Sequence, residues 1–294
     1  MEKVAIILLN YLNYNDTIEC VESIKKVEYN EKYIIIVDNG SNNKSLDILN
    51  EKYKYSDIHI IESSKNLGFA RGNNLGIAYA REKLKCNFVL LANNDTIFKD
   101  ADIITRLVEA YDKDVAVIGP RIISADKMEQ NPVRLSIKRE DVKNEYDFIN
   151  NWKYKFKLTK YYRFLKNIKN KINRSNEINI KKKDINLSPN ITSEDLILHG
   201  ACMMLTKDYF KYYTGLFPDT FLYYEEDILA LITKKVKLKK KFINNTSIYH
   251  KEDQSSLVSF NNSKSVKVKY QIQSMEICLK LFDMSYNEII SKYF

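Results

Sequence analysis

Five short apolar runs separated by longer helix-like stretches organise the first 125 residues, and this alternation constrains the fold more than any other feature. The runs are Val4–Leu9, Tyr33–Val37, Ile58–Glu62, Phe88–Ala92 and Ala116–Gly119. Between them, Asp16–Val27, Ala70–Lys83 and Ala101–Tyr111 read as helices, the first with Cys20 and Ile24 on one face. Strand, helix, strand in this order predicts an α/β fold with a mostly parallel sheet flanked by helices. It resembles a nucleotide-binding half, yet the Gly-x-Gly-x-x-Gly turn of dinucleotide folds is missing after the first run.

The pattern changes at about Lys138 and stays rich in Lys, Asn, Tyr and Ile to Asn190, without strand alternation. An apolar run resumes at Leu196–Leu205. An acidic cluster, Glu225-Glu226-Asp227, follows the aromatic stretch Phe221–Tyr224 and leads into a helix ending near Lys235. Val266–Phe282 is again helical, either covering the core or pairing with a second chain. These shifts divide the chain into 1–137, 138–190, 191–255 and 256–294, around one main core as expected for 294 residues.

The net charge of +9 is local: residues 151–183 carry 12 Lys and Arg against Glu177, a balance of +11, so everything else sums to −2. Positive charge concentrated in one segment argues against a general nucleic-acid-binding surface. Read as a helix, Leu158–Ile172 places Leu158, Tyr161, Tyr162, Leu165, Ile168 and Ile172 on one stripe with most lysines opposite. Such a segment can lie on an anionic membrane surface or pack on its own domain with a solvated basic face. Cys20, Cys86, Cys202 and Cys278 form no Cys-x-x-Cys pair, which suits a reducing compartment. No apolar stretch approaches the roughly 20 residues that span a bilayer, and the opening run reads as a buried strand rather than a signal peptide. The expected location is cytoplasmic, with a peripheral position at the inner face of the plasma membrane if the basic helix binds lipid.

Ligands of open parallel sheets bind beyond the carboxyl ends of the strands, where this chain places polar residues after each run. These are Asn10-Tyr11, Asp38-Asn39-Gly40-Ser41, Asn66 to Asn74, and Asn93-Asn94-Asp95-Thr96. Each alone can be turn chemistry, Asn39-Gly40 above all.

Taken together, Val-Asp-Asn-Gly-Ser, Asn-Leu-Gly-Phe-Ala-Arg-Gly-Asn-Asn, Asn-Asn-Asp-Thr, the His199–Leu205 stretch and Phe-Leu-Tyr-Tyr-Glu-Glu-Asp resemble the family 2 glycosyltransferases, in the family's order. The resemblance runs from residue 4 to about 250, excepting the basic insert. It implies the GT-A fold, with residues 1–137 holding a nucleotide-sugar and 191–255 holding acceptor and catalytic groups. The chain resembles bacterial capsular and surface-polysaccharide glycosyltransferases and rhamnosyltransferase-like members of the family.

By position, the resemblance implies that Asp38 meets the nucleotide base and Tyr11 lies against it, with Asn10, Asn39 and Asn94 alongside. An acidic acceptor suits the imide N–H of uracil or thymine, so the donor is expected to be a UDP- or dTDP-sugar. Arg71 is expected to face the diphosphate, while Asn66, Gly68 and Asn73 shape the loop. Asn93-x-Asp95 stands where the family carries a metal-binding Asp-x-Asp. Asp95 is expected to anchor Mg2+ or Mn2+; the neutral Asn93 departs from the stricter pattern and leaves its own contact open. His250 is either a ligand beside the metal or a histidine satisfied by backbone. Glu226 falls at the catalytic base position, with Asp227 as the alternative. His199, Gly200, Tyr223, Tyr224 and Glu225 are expected on the acceptor side.

The implied reaction is inverting transfer to a saccharide, expected to be lipid-linked, in surface-polysaccharide assembly. Two rivals stand beside it. A nucleotidyltransferase would want a Gly-rich, basic loop where Asn10-Tyr11-Leu12-Asn13 stands; a non-catalytic scaffold could keep the fold for nucleotide-sugar binding or protein contact.

Overall fold

The computed structural model describes residues 1–155, 190–251 and 264–294. Its first half follows the alternation in the sequence: β1 (Val4–Asn10), α1 (Tyr14–Lys25), β2 (Lys32–Asp38), α2 (Ser45–Tyr53), β3 (His59–Glu62), α3 (Phe69–Glu82) and β4 (Phe88–Asn93). Then come β5 (Thr96–Phe98), α4 (Ile103–Glu109), β6 (Val115–Ser124) and α5 (Arg139–Lys155). The remainder is β7 (Asn190–Ser193), β8 (Cys202–Leu205), α6 (Glu225–Lys235), β9 (Lys239–His250), α7 (Lys264–Asp283) and α8 (Tyr286–Tyr293). The basic stripe Leu158–Ile172 lies outside the described residues.

The strands form one sheet in the order β3-β2-β1-β4-β8-β6-β9-β5, with β7 also on β9. β1 explains why its run is apolar at nearly every position. Val4, Ile6 and Leu8 enter the core on one face of the sheet with Cys20, Val21 and Ile24 of α1, while Ala5 and Ile7 enter the core on the other face with Ala70, Ile77 and Ala80 of α3. A strand buried on both faces has no polar side to show.

β1 pairs in parallel with β2 on one side and β4 on the other. The chain therefore winds one way from β1 and the other way at β4, which opens a crevice at their carboxyl ends. β8 runs antiparallel to β4, with Ala92 opposite Cys202, so the residues just before β8 come to that same end. β6 and β9 run parallel to each other, and His250, the last residue of β9, arrives there too.

Several elements differ from the sequence expectation. The fifth strand extends to Ser124, and of Leu196–Leu205 only Cys202–Leu205 is strand. β5, β7, α2 and the 12-residue β9 had no reading. β9 is polar at most positions, yet Lys240, Phe242, Ile243, Thr246 and Ile248 are buried by β6, β7 and α6. The C-terminal helix covers the core: Met275, Cys278 and Leu281 of α7 are fully buried, and α7 packs on α5 and α6. Among the described residues, no helix is long and apolar enough to cross a membrane.

Candidate active site

A cavity of about 540 Å³ occupies the crevice, within the range of ligand sites. At one end its wall holds Leu9, Tyr11, Asn39, Asn66 and Gly68. Asp38 stands just behind this wall, buried, where Oδ2 accepts from Asn10 Nδ2 at 2.6 Å and Oδ1 from the Ser41 amide at 2.9 Å. Asn10 accepts from Thr17 at 2.8 Å, and Asn94 donates to the same hydroxyl at 3.0 Å. Asn10 and Asn94 therefore brace the site from inside, as members of a satisfied buried network.

Asn39 and Asn66 build the loop in front of α3. Asn39 donates to Asn66 Oδ1 at 3.0 Å, and Asn66 Oδ1 also accepts from the Gly68 amide at 2.9 Å. Gly68 has φ of +82°, and a Cβ there would lie 2.3 Å from the Phe221 carbonyl oxygen. That position admits only glycine. The Phe69 amide donates to the same carbonyl at 2.9 Å, tying this loop to the aromatic segment.

Arg71 and Asn73 lie elsewhere than expected. Arg71 donates to the Pro218 carbonyl at 2.7 Å and pairs with Asp219 at 2.9 Å, away from the cavity wall. Asn73 is buried within α3, donating to the Phe69 carbonyl at 2.9 Å. Arg71 is held by a carbonyl and a carboxylate 147 and 148 residues away, and Asn73 by the backbone four residues before it.

In the middle of the cavity, the pairing of β5 with β9 sets Thr96 opposite His250. This brings Asp95 to His250, with Asn93, Gln130 and His199 in the same wall. His250 Nδ1 lies 2.9 Å from Gln130 Oε1, and Nε2 lies 3.3 Å from Asp95 Oδ1. With Nδ1–H donating to Gln130, Nε2 presents its lone pair to a carboxylate oxygen. Asp95 Oδ1 is buried and has no hydrogen-bond partner, so with this tautomer of His250 the 3.3 Å approach is a close contact between two acceptors. Such a pair is suited to a cation. The protein's own donor set is thin, since no group of three or more His, Cys, Asp or Glu converges among the described residues. A divalent ion here would take one carboxylate, one imidazole and ligand oxygens, with the Asn93 amide nearby. The His199 ring meets His250 edge-on, with centroids 5.7 Å apart, and its Nδ1 accepts from the Ala201 amide at 3.0 Å.

At the far end, Tyr223 and Tyr224 have φ of +74° and +68°, a conformation disfavoured for residues with side chains. This turn starts α6 and sends its three acids to different places. Asp227 is buried and paired with Arg134, outside the cavity wall; burial raises its pKa to about 6 against the lowering effect of Arg134. Tyr224 is likewise turned away from the cavity, its hydroxyl donating to Glu145 at 2.6 Å. Glu225 lines the cavity but is buried, with Oε1 unpartnered. Burial, then the charge of Glu226, pushes its pKa up to about 8, so it holds its proton at neutral pH. Glu226 lines the cavity, with Oε1 accepting from the Gly200 amide at 3.0 Å. Of the two candidate bases, only Glu226 reaches the cavity wall.

Residues 4–213 match the model of glycosyl transferase family 2. The chain belongs to that family. Its fold is GT-A, as in S. aureus TarS (residues 1–349) in complex with UDP-GlcNAc, with a TM-score of 0.57 at 11% identity over 98% of this chain and 69% of that one. The mannosyltransferase PcManGT from Pyrobaculum calidifontis, in complex with GDP-Man and Mn2+, gives a TM-score of 0.53 at 10% identity over 98% of this chain and 74% of that one. At such identities the likeness concerns fold alone. In sequence, the chain is 26% identical over 226 residues to the low-salt glycan biosynthesis hexosyltransferase Agl10 of Haloferax volcanii, covering 77% of this chain and 60% of that protein. It is 26% identical over 132 residues to the glycosyltransferase GlyG of Streptococcus pneumoniae, covering 44% of this chain and 42% of that one. The chain thus aligns with about half the length of these two curated relatives.

Phe221 and Leu222 of the aromatic motif also line this family 2 cavity, as do Gln130 and Lys267, which no local motif marks. Gln130 arrives on the irregular turn after β6 and Lys267 on α7, far from the other wall residues in sequence.

Two outcomes follow from the acid cluster. A Cβ at Gly200 would lie 2.7 Å from Glu226 Oε1, the movable end of a side chain. Gly200→Ala is therefore expected to leave Tm nearly unchanged while lowering turnover by about 10- to 100-fold, through displacement of the carboxylate. Glu225 binds its proton more tightly folded than unfolded, so its contribution to stability is complete below about pH 4.5 and lost as pH rises through about 8. Glu225→Gln, which stays neutral, is expected to raise Tm relative to the unsubstituted protein above pH 8, with the gain vanishing near pH 4.5 in thermal denaturation.

Proposed function

We propose that this protein is an inverting glycosyltransferase that moves a sugar from a UDP- or dTDP-sugar to a lipid-linked saccharide in surface-polysaccharide assembly. The observation that carries this reading is Glu226, held on the Gly200 amide in the cavity wall beside the Asp95–His250 pair. Glu226 takes the proton of the acceptor hydroxyl as that oxygen attacks the anomeric carbon. The bond from that carbon to the diphosphate oxygen breaks, and its electron pair leaves with the nucleotide. Gly200 occupies one lone pair of Oε1 and fixes the carboxylate's direction, leaving Oε2 for the hydroxyl. A single displacement inverts the anomeric centre and needs no enzyme nucleophile; a protonated Glu225 and an Arg134-bound Asp227 suit that economy.

Asp95 and His250 would hold Mg2+ or Mn2+, which would supply positive charge against the departing diphosphate. The pyrimidine base rests on Asp38, a buried carboxylate next in sequence to the wall residue Asn39, with lone pairs beyond those used by Asn10 and Ser41. Phe221 and Tyr223 offer aromatic surface to a sugar ring. Calorimetric titration with UDP-, dTDP- and GDP-sugars, with and without Mn2+, tests the donor and metal together. Metal-dependent binding of a pyrimidine donor, lost in Asp95→Ala, is expected. Glu226→Gln is expected to keep that binding while losing at least about 100-fold in turnover; full turnover in this variant would refute the assigned base. The scaffold alternative requires donor binding with no turnover under any condition.

We also propose that the segment 151–183 brings the protein to the cytoplasmic face of the membrane, where a lipid-linked acceptor would sit. Its balance of +11, and the apolar residues that Leu158–Ile172 would align on one face if helical, support this. Replacing Lys166, Lys169 and Lys171 with Gln is expected to reduce co-sedimentation with phosphatidylserine vesicles; unchanged co-sedimentation would remove the membrane role.

A further inference from the structure

A nucleoside diphosphate brings negative charge into a cavity whose wall already holds the carboxylates of Asp95 and Glu226. Arg71 is committed to Asp219 and the Pro218 carbonyl. The loop before α3 offers little either, because its amides are used: Leu67 N–H donates to Asn39 Oδ1, Gly68 N–H to Asn66 Oδ1 and Phe69 N–H to the Phe221 carbonyl. Among the described residues of the wall, Lys267 is the one lysine or arginine.

Lys267 lies in the first turn of α7, beyond the span matched by the family model. Three residues on, Tyr270 stacks on Phe221 of the cavity wall, with centroids 4.5 Å apart and planes 20° apart. Four further on, Ser274 donates to the Leu222 carbonyl at 2.9 Å. Positions 267, 270 and 274 share one helical face. The stack and the hydrogen bond therefore seat this face on the segment Phe221–Leu222 and hold Lys267 at the cavity, while Met275, Cys278 and Leu281 anchor the helix in the core.

We propose that Lys267 is a phosphate-binding residue of the donor site, contacting the diphosphate of the bound nucleotide. This rests on the donor-binding reading above. An ammonium suits the role because it meets phosphate oxygens as a point charge without demanding one planar geometry. It also links the C-terminal helix to occupancy of the donor site.

The test is calorimetric titration of the full chain with UDP, dTDP and GDP, each paired with its nucleoside, in Mn2+ and at two salt concentrations. Lys267→Ala is expected to weaken the diphosphate that binds by about tenfold, with a shallower salt dependence, and to leave the nucleoside unchanged. Lys267→Arg should restore most of the affinity. Equal weakening of nucleotide and nucleoside, or no weakening of either, would overturn the assignment to phosphate. Failure of the unsubstituted protein to bind any nucleotide would overturn the donor reading itself and this inference with it.

Discussion

The parallel pairing of β1 with β2 on one edge and with β4 on the other is the constraint on which the rest of the structure depends. It requires β1 to be buried on both faces, and it makes the carboxyl ends of three strands converge on one crevice. Everything in the second half is placed relative to that crevice. β8 enters from it, carrying His199 and Gly200; β9 ends in it, carrying His250; and α6 begins beside it. Residues more than 100 positions apart meet because strand direction leaves their side chains no other end of the sheet to occupy.

The three consecutive acids show how geometry divides similar side chains into different chemical roles. The left-handed turn at Tyr223–Tyr224 rotates the start of α6 so that neighbouring carboxyls diverge. Asp227 meets Arg134 and becomes structural. Glu225 enters a desolvated part of the wall and stays neutral, while Glu226 meets one amide and faces the cavity. Their order along the chain contains no such distinction, because the distinction arises from dielectric and partner. Asp95 and His250 are the complementary case: a carboxylate and an imidazole brought within 3.3 Å by the β5–β9 pairing, a contact that a bound cation would favour.

Most of the first sheet half was legible in the sequence, since burial on both faces forces an unbroken apolar run and its covering helices show helical spacing. β9 was not, because a strand whose core-facing positions include Lys240 and Thr246 has no apolar signature until β6, β7 and α6 bury it. The motifs likewise located Asp95, His250, Gly200 and Glu226 as members of one site, and the structure gathers all four in one wall. Arg71 was misplaced for a physical reason: its acceptors, Pro218 and Asp219, lie 147 and 148 residues away.

What the sequence by itself determined is therefore the α/β class, the family and the crevice-facing strand ends, all of which rest on short-range periodicity and contiguous motifs. Only the tertiary structure decided which of the neighbouring acids line the cavity, which cation lies in its wall, and that α7 covers the core and adds Lys267 to that wall. Those outcomes depend on desolvation and on partners brought from distant parts of the chain, and neither quantity is a property of a residue's neighbours in sequence.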